Sequence, residues 1–363
     1  MLGARRRRSR GVPMSSAQPL TCPPSAGSPT HRLVPSPAGR VHLVEQGEGP
    51  LVLLVHGFPE SWYSWRHQLP ALAAAGYRAV AVDMRGYGRS SRPADAAAYR
   101  MLDLVEDGVA VVRALGEETA VVVGHDWGAT VAAHSALVRP DVFRAVGLLG
   151  VPYTPPGGPR PSEVFAGMGG DEEFYVSYFQ EPGRAEAEIE PDVRGWLAGF
   201  YAALSGDTMP GPDAPDPHFV SRGGRLRDRF PAVTGVPPVP GAPGASGARL
   251  PAWLDERDLD VYAEEFERTG LTGALNRYRA MDRDWEDLTP RFAGAPVRRP
   301  SLFVGGALDA STTWLADAIE AFPDTLPGLR SSHVLDGCGH WVQQERPDEV
   351  NGIVTDWLGT LDA

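Results

Sequence analysis

The sequence predicts an α/β protein: a mostly parallel β-sheet flanked by helices, interrupted by a mostly helical insertion. Three observations predict it. Short apolar runs alternate with stretches of helical periodicity from residue 41 to about residue 152. The alternation breaks at YTPPGGPRPSEV and resumes at RRPSLFVGG. Runs such as TAVVVG are apolar throughout, as expected of parallel strands buried on both faces.

The elements follow in order. RVHLVEQG and LVLLVH read as strands, and the glycine-containing link between them suggests a hairpin. ESWYSWRHQLPALAAAG can carry a helix and YRAVAVDM a strand. MLDLVEDGVAVVRALG has apolar residues at helical spacing and ends at Gly116, a suitable C-cap. TAVVVG is then a strand, WGATVAAHSALVRP a helix and RAVGLLGVP a strand. The insertion reads as helices and loops, and its Pro/Gly-rich stretch is too long for an ordinary connection. After it come the strand RRPSLFVGG, a helix over TTWLADAIEAF, the strand SSHVLDG and a last helix ending in VNGIVTDWLGTL. The expected organisation is an extension over residues 1–30, core over 31–152, helical cap over 153–295 and core again over 296–363.

Composition narrows the function. The formal net charge of -12 and pI of about 5.2 argue against nucleic acid or an anionic membrane as partner. All 34 basic residues are arginines, which removes chemistry that needs a lysine amine. Cys22 and Cys338 make neither a disulfide framework nor a zinc spacing, and no cofactor or metal is expected. The arginines near the start are not followed by the apolar stretch of an export signal, and Met14 is an alternative start. With no run of about 18 apolar residues either, the chain is expected to be cytoplasmic; a homo-oligomer is left open.

The chemistry is concentrated at strand ends. In VVVGHDWGAT a strand runs through a glycine-flanked turn into a helix, a layout that in many hydrolases carries serine at the centre of G-x-S-x-G. Here the central residue is Asp126. Asp309 follows SLFVGGAL and His340 follows HVLDGCG, so nucleophile, acid and histidine occur in the order of the α/β-hydrolase fold. Each has a plainer reading: Asp126 as a helix N-cap, Asp309 as a turn residue, His340 as a packed imidazole. Their joint occurrence at successive strand ends favours catalysis.

A carboxylate in the serine position changes the reaction. It is ionised at neutral pH and attacks saturated carbon directly, leaving an alkyl ester on the enzyme. His340, oriented by Asp309, then activates water against that ester. The expected oxyanion-hole donors are the backbone N–H groups of Phe58 and Trp127. Alkyl halides and epoxides both suit this scheme. A halide leaves towards weak N–H donors, whereas an opening epoxide becomes an alkoxide and needs an acid such as a phenol.

HGFPESWYSWRHQLPALAAAGYRAVAVDMRGYGRSSRP, GHDWGA and DGCGHWVQQERPDEVN resemble the epoxide hydrolases of the α/β-hydrolase superfamily, in particular the C-terminal domain of soluble epoxide hydrolase. FYVSYFQEPGRAEAEIE and VYAEEFERTGLTGALNRYRAMDRDW in the insertion resemble that family's cap. The resemblance covers roughly residues 31–360. It implies the α/β-hydrolase fold with a helical cap, and hydrolysis of small lipophilic epoxides to diols as part of detoxification. It makes Asp126 the nucleophile, His340 and Asp309 the water-activating pair, and Tyr175 and Tyr278 the acids that hold the epoxide oxygen. Tyr178 is the alternative to Tyr175. His56, Pro59, Trp62 and Trp341 are expected to line the pocket, with Trp65 and Trp127 nearby. Val176 departs from the mammalian pattern, which is polar there, and the cap loop is longer. Nothing matches the mammalian phosphatase domain, so its activity is not carried over.

The principal rival is a haloalkane dehalogenase, which shares the Asp-Trp pair but carries a halide-binding amide where this chain has Phe58. A non-catalytic binding protein is expected to have lost a triad member, and none is lost. AVAVDMRGYGRSS invites a dinucleotide-binding reading but has Ser91 in place of the third glycine.

Overall fold

The structure is a computed structural model that describes residues 27–209, 216–230, 233 and 249–361. Residues 1–26 of the extension expected over 1–30, with Cys22, and residues 210–215, 231–232 and 234–248 of the Pro/Gly-rich stretch lie outside the described residues.

Ten strands are present among the described residues. They are β1 (Thr30–Ser36), β2 (Gly39–Gln46), β3 (Leu51–Val55), β4 (Arg78–Val82), β5 (Ala120–His125), β6 (Phe143–Leu149), β7 (Glu172–Phe174), β8 (Phe219–Ser221), β9 (Ser301–Gly306) and β10 (Leu329–Leu335). Eight form one sheet in the order β1-β2-β4-β3-β5-β6-β9-β10. β1 and β2 pair antiparallel, as do β2 and β4, and every later pair is parallel.

The expected hairpin between the second and third strands is absent. β4 lies between them, paired antiparallel to β2 and parallel to β3. The true hairpin is β1–β2, turning at Pro37–Ala38, and sequence periodicity did not reveal β1 because its residues are mostly exposed.

The flanking helices are α1 (Gln68–Ala74), α2 (Met101–Ala114) and α3 (Trp127–Val138). α11 (Ala310–Trp314), α12 (Ala316–Glu320), α13 (Phe322–Thr325), α14 (Val342–Glu345) and α15 (Pro347–Gly359) follow the insertion. The helix expected over TTWLADAIEAF is broken into α11, α12 and the start of α13, with Leu315 out of helical conformation between the first two. Alternation within apolar strands serves two cores. Leu51, Leu53 and Val55 of β3 face α2 and α3, whereas Val52 and Leu54 pack with α1 and α15. A strand with both faces buried needs no polar positions, which is why these segments read as unbroken apolar runs.

The inserted cap contains α4 (Pro161–Met168), α5 (Tyr175–Tyr178), α6 (Arg184–Ile189), α7 (Val193–Ala203), α8 (Glu256–Thr269), α9 (Thr272–Arg279) and α10 (Met281–Phe292). It also holds a two-stranded antiparallel sheet, β7–β8, where only helices and loops were expected. Polar contacts fasten α8 to the core. Asp258 accepts from the Tyr63 hydroxyl at 2.8 Å and from Arg66 at 3.3 Å, and the Tyr262 hydroxyl bonds Ser64 at 2.9 Å and Gln344 at 2.8 Å. The cap therefore sits over the carboxyl ends of the parallel strands, where a doubly covered sheet leaves its crevice.

Candidate active site

β5 delivers Asp126 through a turn with no spare room. A Cβ on Gly124 would lie 1.9 Å from the Gly128 carbonyl oxygen, and one on Gly128 would lie 2.0 Å from that of Val55. Glycine on both sides thus lets α3 start directly against β3 and β5. Asp126 itself has φ 53°, a positive value unique among the described non-glycine residues. Such strain is held by the surrounding packing and is characteristic of a nucleophile elbow. Asp126 occupies the N-cap position of α3, yet its side chain makes no capping bond. The plainer reading of this residue therefore does not describe its geometry.

The carboxylate faces two backbone donors. The Phe58 N–H donates to Oδ1 at 2.8 Å, and the neighbouring Trp127 N–H favours the charged form of the carboxylate. Burial raises the Asp126 carboxyl above its ordinary value, opposed by His340, His125 and these two donors. On its other side, Oδ2 lies 3.7 Å from His340 Nε2. His340 Nδ1 lies 3.1 Å from Asp309 Oδ2, while Asp309 Oδ1 accepts from the Ser311 N–H at 3.0 Å. Asp309 thus caps α11 and orients the imidazole at once. Burial disfavours a charged His340, but Asp309 and then Asp126 outweigh it and push its pKa up to about 9.

Below these groups lies a buried polar layer that sequence reasoning missed. His125 Nδ1 is 2.7 Å from Glu60 Oε2, and its Nε2 is 2.8 Å from the His340 carbonyl oxygen. Glu60 also accepts from the Gly57 N–H at 2.9 Å and from the amides of Gln343 and Gln344, both at 3.1 Å. Burial works against the Glu60 charge, yet His125 and the Gly57 N–H hold its carboxyl down at about 2. The signal was present in HGFPE and GHD, whose glutamate and histidine adjoin the motifs that were noticed.

The two cap tyrosines face Asp126 across a common cavity. Tyr175 begins α5 and Tyr278 lies on α9, with their rings 6.1 Å apart. The Trp127 ring stands edge-on to that of Tyr278, with centroids 5.2 Å apart. Burial and the Asp126 charge push the Tyr175 phenol well above 10; burial, Tyr175 and Asp126 do the same for Tyr278. Tyr178 points elsewhere: its hydroxyl donates to Glu188, and the Arg184 guanidinium lies 3.6 Å over its ring.

Asp126, Asp309, His340, Tyr175, Tyr278 and Phe58 line one cavity of about 50 Å³ among the described residues. Phe200, Leu204, His218, Phe230 and Trp314 complete much of its wall. His56, Pro59, Trp62 and Trp341, expected there, are not part of that wall. His56 is fully buried, with Nδ1 bonded to the Gly57 carbonyl at 2.8 Å and Nε2 accepting the Met84 N–H at 3.0 Å. It braces the loop that presents Phe58. Pro59 offers its carbonyl to the Tyr201 hydroxyl at 2.6 Å, and the Trp341 indole donates to the Tyr201 carbonyl at 3.1 Å. Trp62 packs on His31 and Tyr63, and Trp65 belongs to the core on the opposite face of the sheet. Among the described residues, no three His, Cys, Asp or Glu side chains gather so as to hold a metal ion. None of the described helices is long and apolar enough to cross a membrane.

Fold and site together define a hydrolase of the α/β type with a carboxylate at the elbow. The family model described as alpha/beta hydrolase fold matches residues 50–347. Epoxide hydrolase B of Mycobacterium tuberculosis is 43% identical, the match covering 92% of this chain and 99% of that protein. Bifunctional epoxide hydrolase 2 of Sus scrofa is 36% identical over 94% of this chain and 57% of its own length. A solved epoxide hydrolase from an endophytic Streptomyces is 66% identical with a TM-score of 0.86, covering 92% of this chain and 96% of that one. The chain belongs to the epoxide hydrolases of the α/β-hydrolase superfamily.

Proposed function

We propose that this enzyme converts small lipophilic epoxides and water to vicinal diols through an alkyl ester on Asp126. Asp126 Oδ2 attacks an epoxide carbon, and the C–O bond of the ring breaks as its electron pair moves to the epoxide oxygen. Tyr175 and Tyr278 hold that oxygen, and one of them supplies the proton that makes it a hydroxyl. Their raised pKa values keep both as phenols at neutral pH, so a proton is available when the alkoxide forms.

Ester formation removes the negative charge 3.7 Å from His340. That charge is one of the contributions that raise the imidazole, so its loss lowers the histidine pKa when a base is required. His340 then takes a proton from water, and the hydroxide oxygen adds to the Asp126 carbonyl carbon. The tetrahedral intermediate's negative oxygen is Oδ1, in reach of the Phe58 and Trp127 N–H groups. Its collapse breaks the bond from the ester carbon to the alkyl oxygen, and the diol leaves with a proton from His340. The proton on the added oxygen then leaves Asp126 as a carboxylate and restores the tyrosine that protonated the epoxide oxygen.

The observation that carries this reading is the arrangement around Asp126: two N–H donors on one side, His340 on another, and two phenols lining the same cavity. It also disfavours halide displacement, because the Phe58 side chain has no N–H to hold a departing halide and two phenols face the cavity instead. His340→Gln tests the two-step course. With styrene oxide it should accumulate a covalent adduct of one substrate mass on the Asp126 peptide. An unmodified peptide after ring opening would exclude the ester.

A further inference from the structure

A second cleft lies between the β1–β2 hairpin and the loop after β4, with Arg268 of cap helix α8 at its edge, and no residue lines both it and the cavity over Asp126. Its volume is about 670 Å³, within the range of roughly 300–1,000 Å³ typical of small-molecule sites. Four of its lining residues are Arg40, Arg89, Arg92 and Arg268. Their side chains come from different parts of the fold. Arg40 on β2 donates from Nε to the Arg89 carbonyl at 3.4 Å, and Arg268 on α8 donates to the Gly88 carbonyl at 3.0 Å. Two guanidiniums therefore meet the same short stretch of backbone, one from the core and one from the cap.

That stretch is rigidly placed. The Arg89 N–H donates to buried Asp83 at 3.1 Å, and the Ser90 hydroxyl donates to the Asp83 carbonyl at 2.6 Å. Carboxylates are scarce around it. Glu265 pairs with Arg268 and lies 3.9 Å from Arg89, while Arg40 and Arg92 have no carboxylate partner among the described residues. In a chain of formal net charge -12 this is a concentrated local excess of positive charge. Guanidinium forks match phosphate oxygens in pairs, and four of them exceed what a single monovalent anion can satisfy.

We infer that this cleft binds a small anion carrying two or more phosphate groups, held by Arg40, Arg89, Arg92 and Arg268. Because Arg268 belongs to the cap and the other three to the core, the bound anion ties α8 to the core.

Isothermal titration of the full-length protein with inorganic tripolyphosphate, and separately with ATP, tests the inference at low ionic strength. One saturable site is expected, weakened at least tenfold by Arg92→Gln and by Arg40→Gln and progressively by added salt. Arg92 makes no ion pair among the described residues, so its variant should keep the wild-type melting temperature, and that check separates lost binding from lost fold. ATP binding more tightly than tripolyphosphate would identify a nucleotide as the ligand; equal binding would assign recognition to the phosphate chain alone. Absence of saturable binding with both probes, or binding unchanged in both variants, would overturn the inference. The titration contains no epoxide, so its outcome is independent of the role proposed for Asp126.

Discussion

At the scale of residues, the site depends on charges that are buried but matched. The two cap phenols are the clearest division of labour. Tyr175→Phe should lower turnover of styrene oxide about tenfold or more, with Tyr278 still present, and the double Phe variant should lose on the order of 10²–10⁴. Tyr178→Phe should leave turnover within about twofold, since its hydroxyl is engaged by Glu188 away from the cavity. Steady-state rates that reversed the effects of Tyr175 and Tyr178 would refute the assignment. His340 makes a second prediction. Its folded-state pKa of about 9 lies above the 6.5 of a free imidazole, so the folded protein binds this proton more tightly than the unfolded chain. The resulting stabilisation is complete below about pH 6.5 and is lost as pH rises through 9. Between pH 7 and 9.5 the wild-type melting temperature should fall more than that of His340→Gln. Parallel melting curves against pH would contradict the proposed coupling.

At the scale of elements, the turn between β5 and α3 and the attachment of α8 matter most. Asp258 combines several roles in one side chain: it completes the capping box of α8 and receives Tyr63 and Arg66 from the core. Asp258→Ala should therefore cost roughly 1–3 kcal/mol, read from the urea midpoint, and a change below about 0.5 kcal/mol would show that α8 is held by its apolar face alone. The legibility of these features differed for physical reasons. Asp126, Asp309 and His340 could be read because each follows a strand, and parallel strands bring their carboxyl ends to one edge. Tyr175 was legible only through a resemblance in the cap. The cavity wall was not legible: Phe200, His218, Phe230 and Trp314 meet through tertiary folding and share no local motif. His56 and Trp341 were misplaced because adjacency to a motif does not set the direction of a side chain. The β2–β3 hairpin failed similarly, since a short glycine link cannot reveal that β4 enters between the strands.

At the scale of the whole molecule, the proposed reaction draws its nucleophile and base from the sheet and its acids from the cap. Neither part alone completes the proposed reaction, because Asp126 and His340 lie on core segments separated by the entire insertion. The cavity over Asp126, about 50 Å³ among the described residues, is bounded on one side by the core and on the other by the cap. In the proposed course His340 becomes the base only after the Asp126 charge has gone.

The central claim is that a carboxylate oxygen of the enzyme enters the product. A single turnover of styrene oxide with excess enzyme in ¹⁸O-labelled water, followed by mass analysis of the diol and the Asp126 peptide, tests it directly. The account predicts unlabelled diol and one labelled oxygen in Asp126. Label entering the diol in that first turnover, with Asp126 unlabelled, would mean that water opens the epoxide directly and that Asp126 is not the nucleophile.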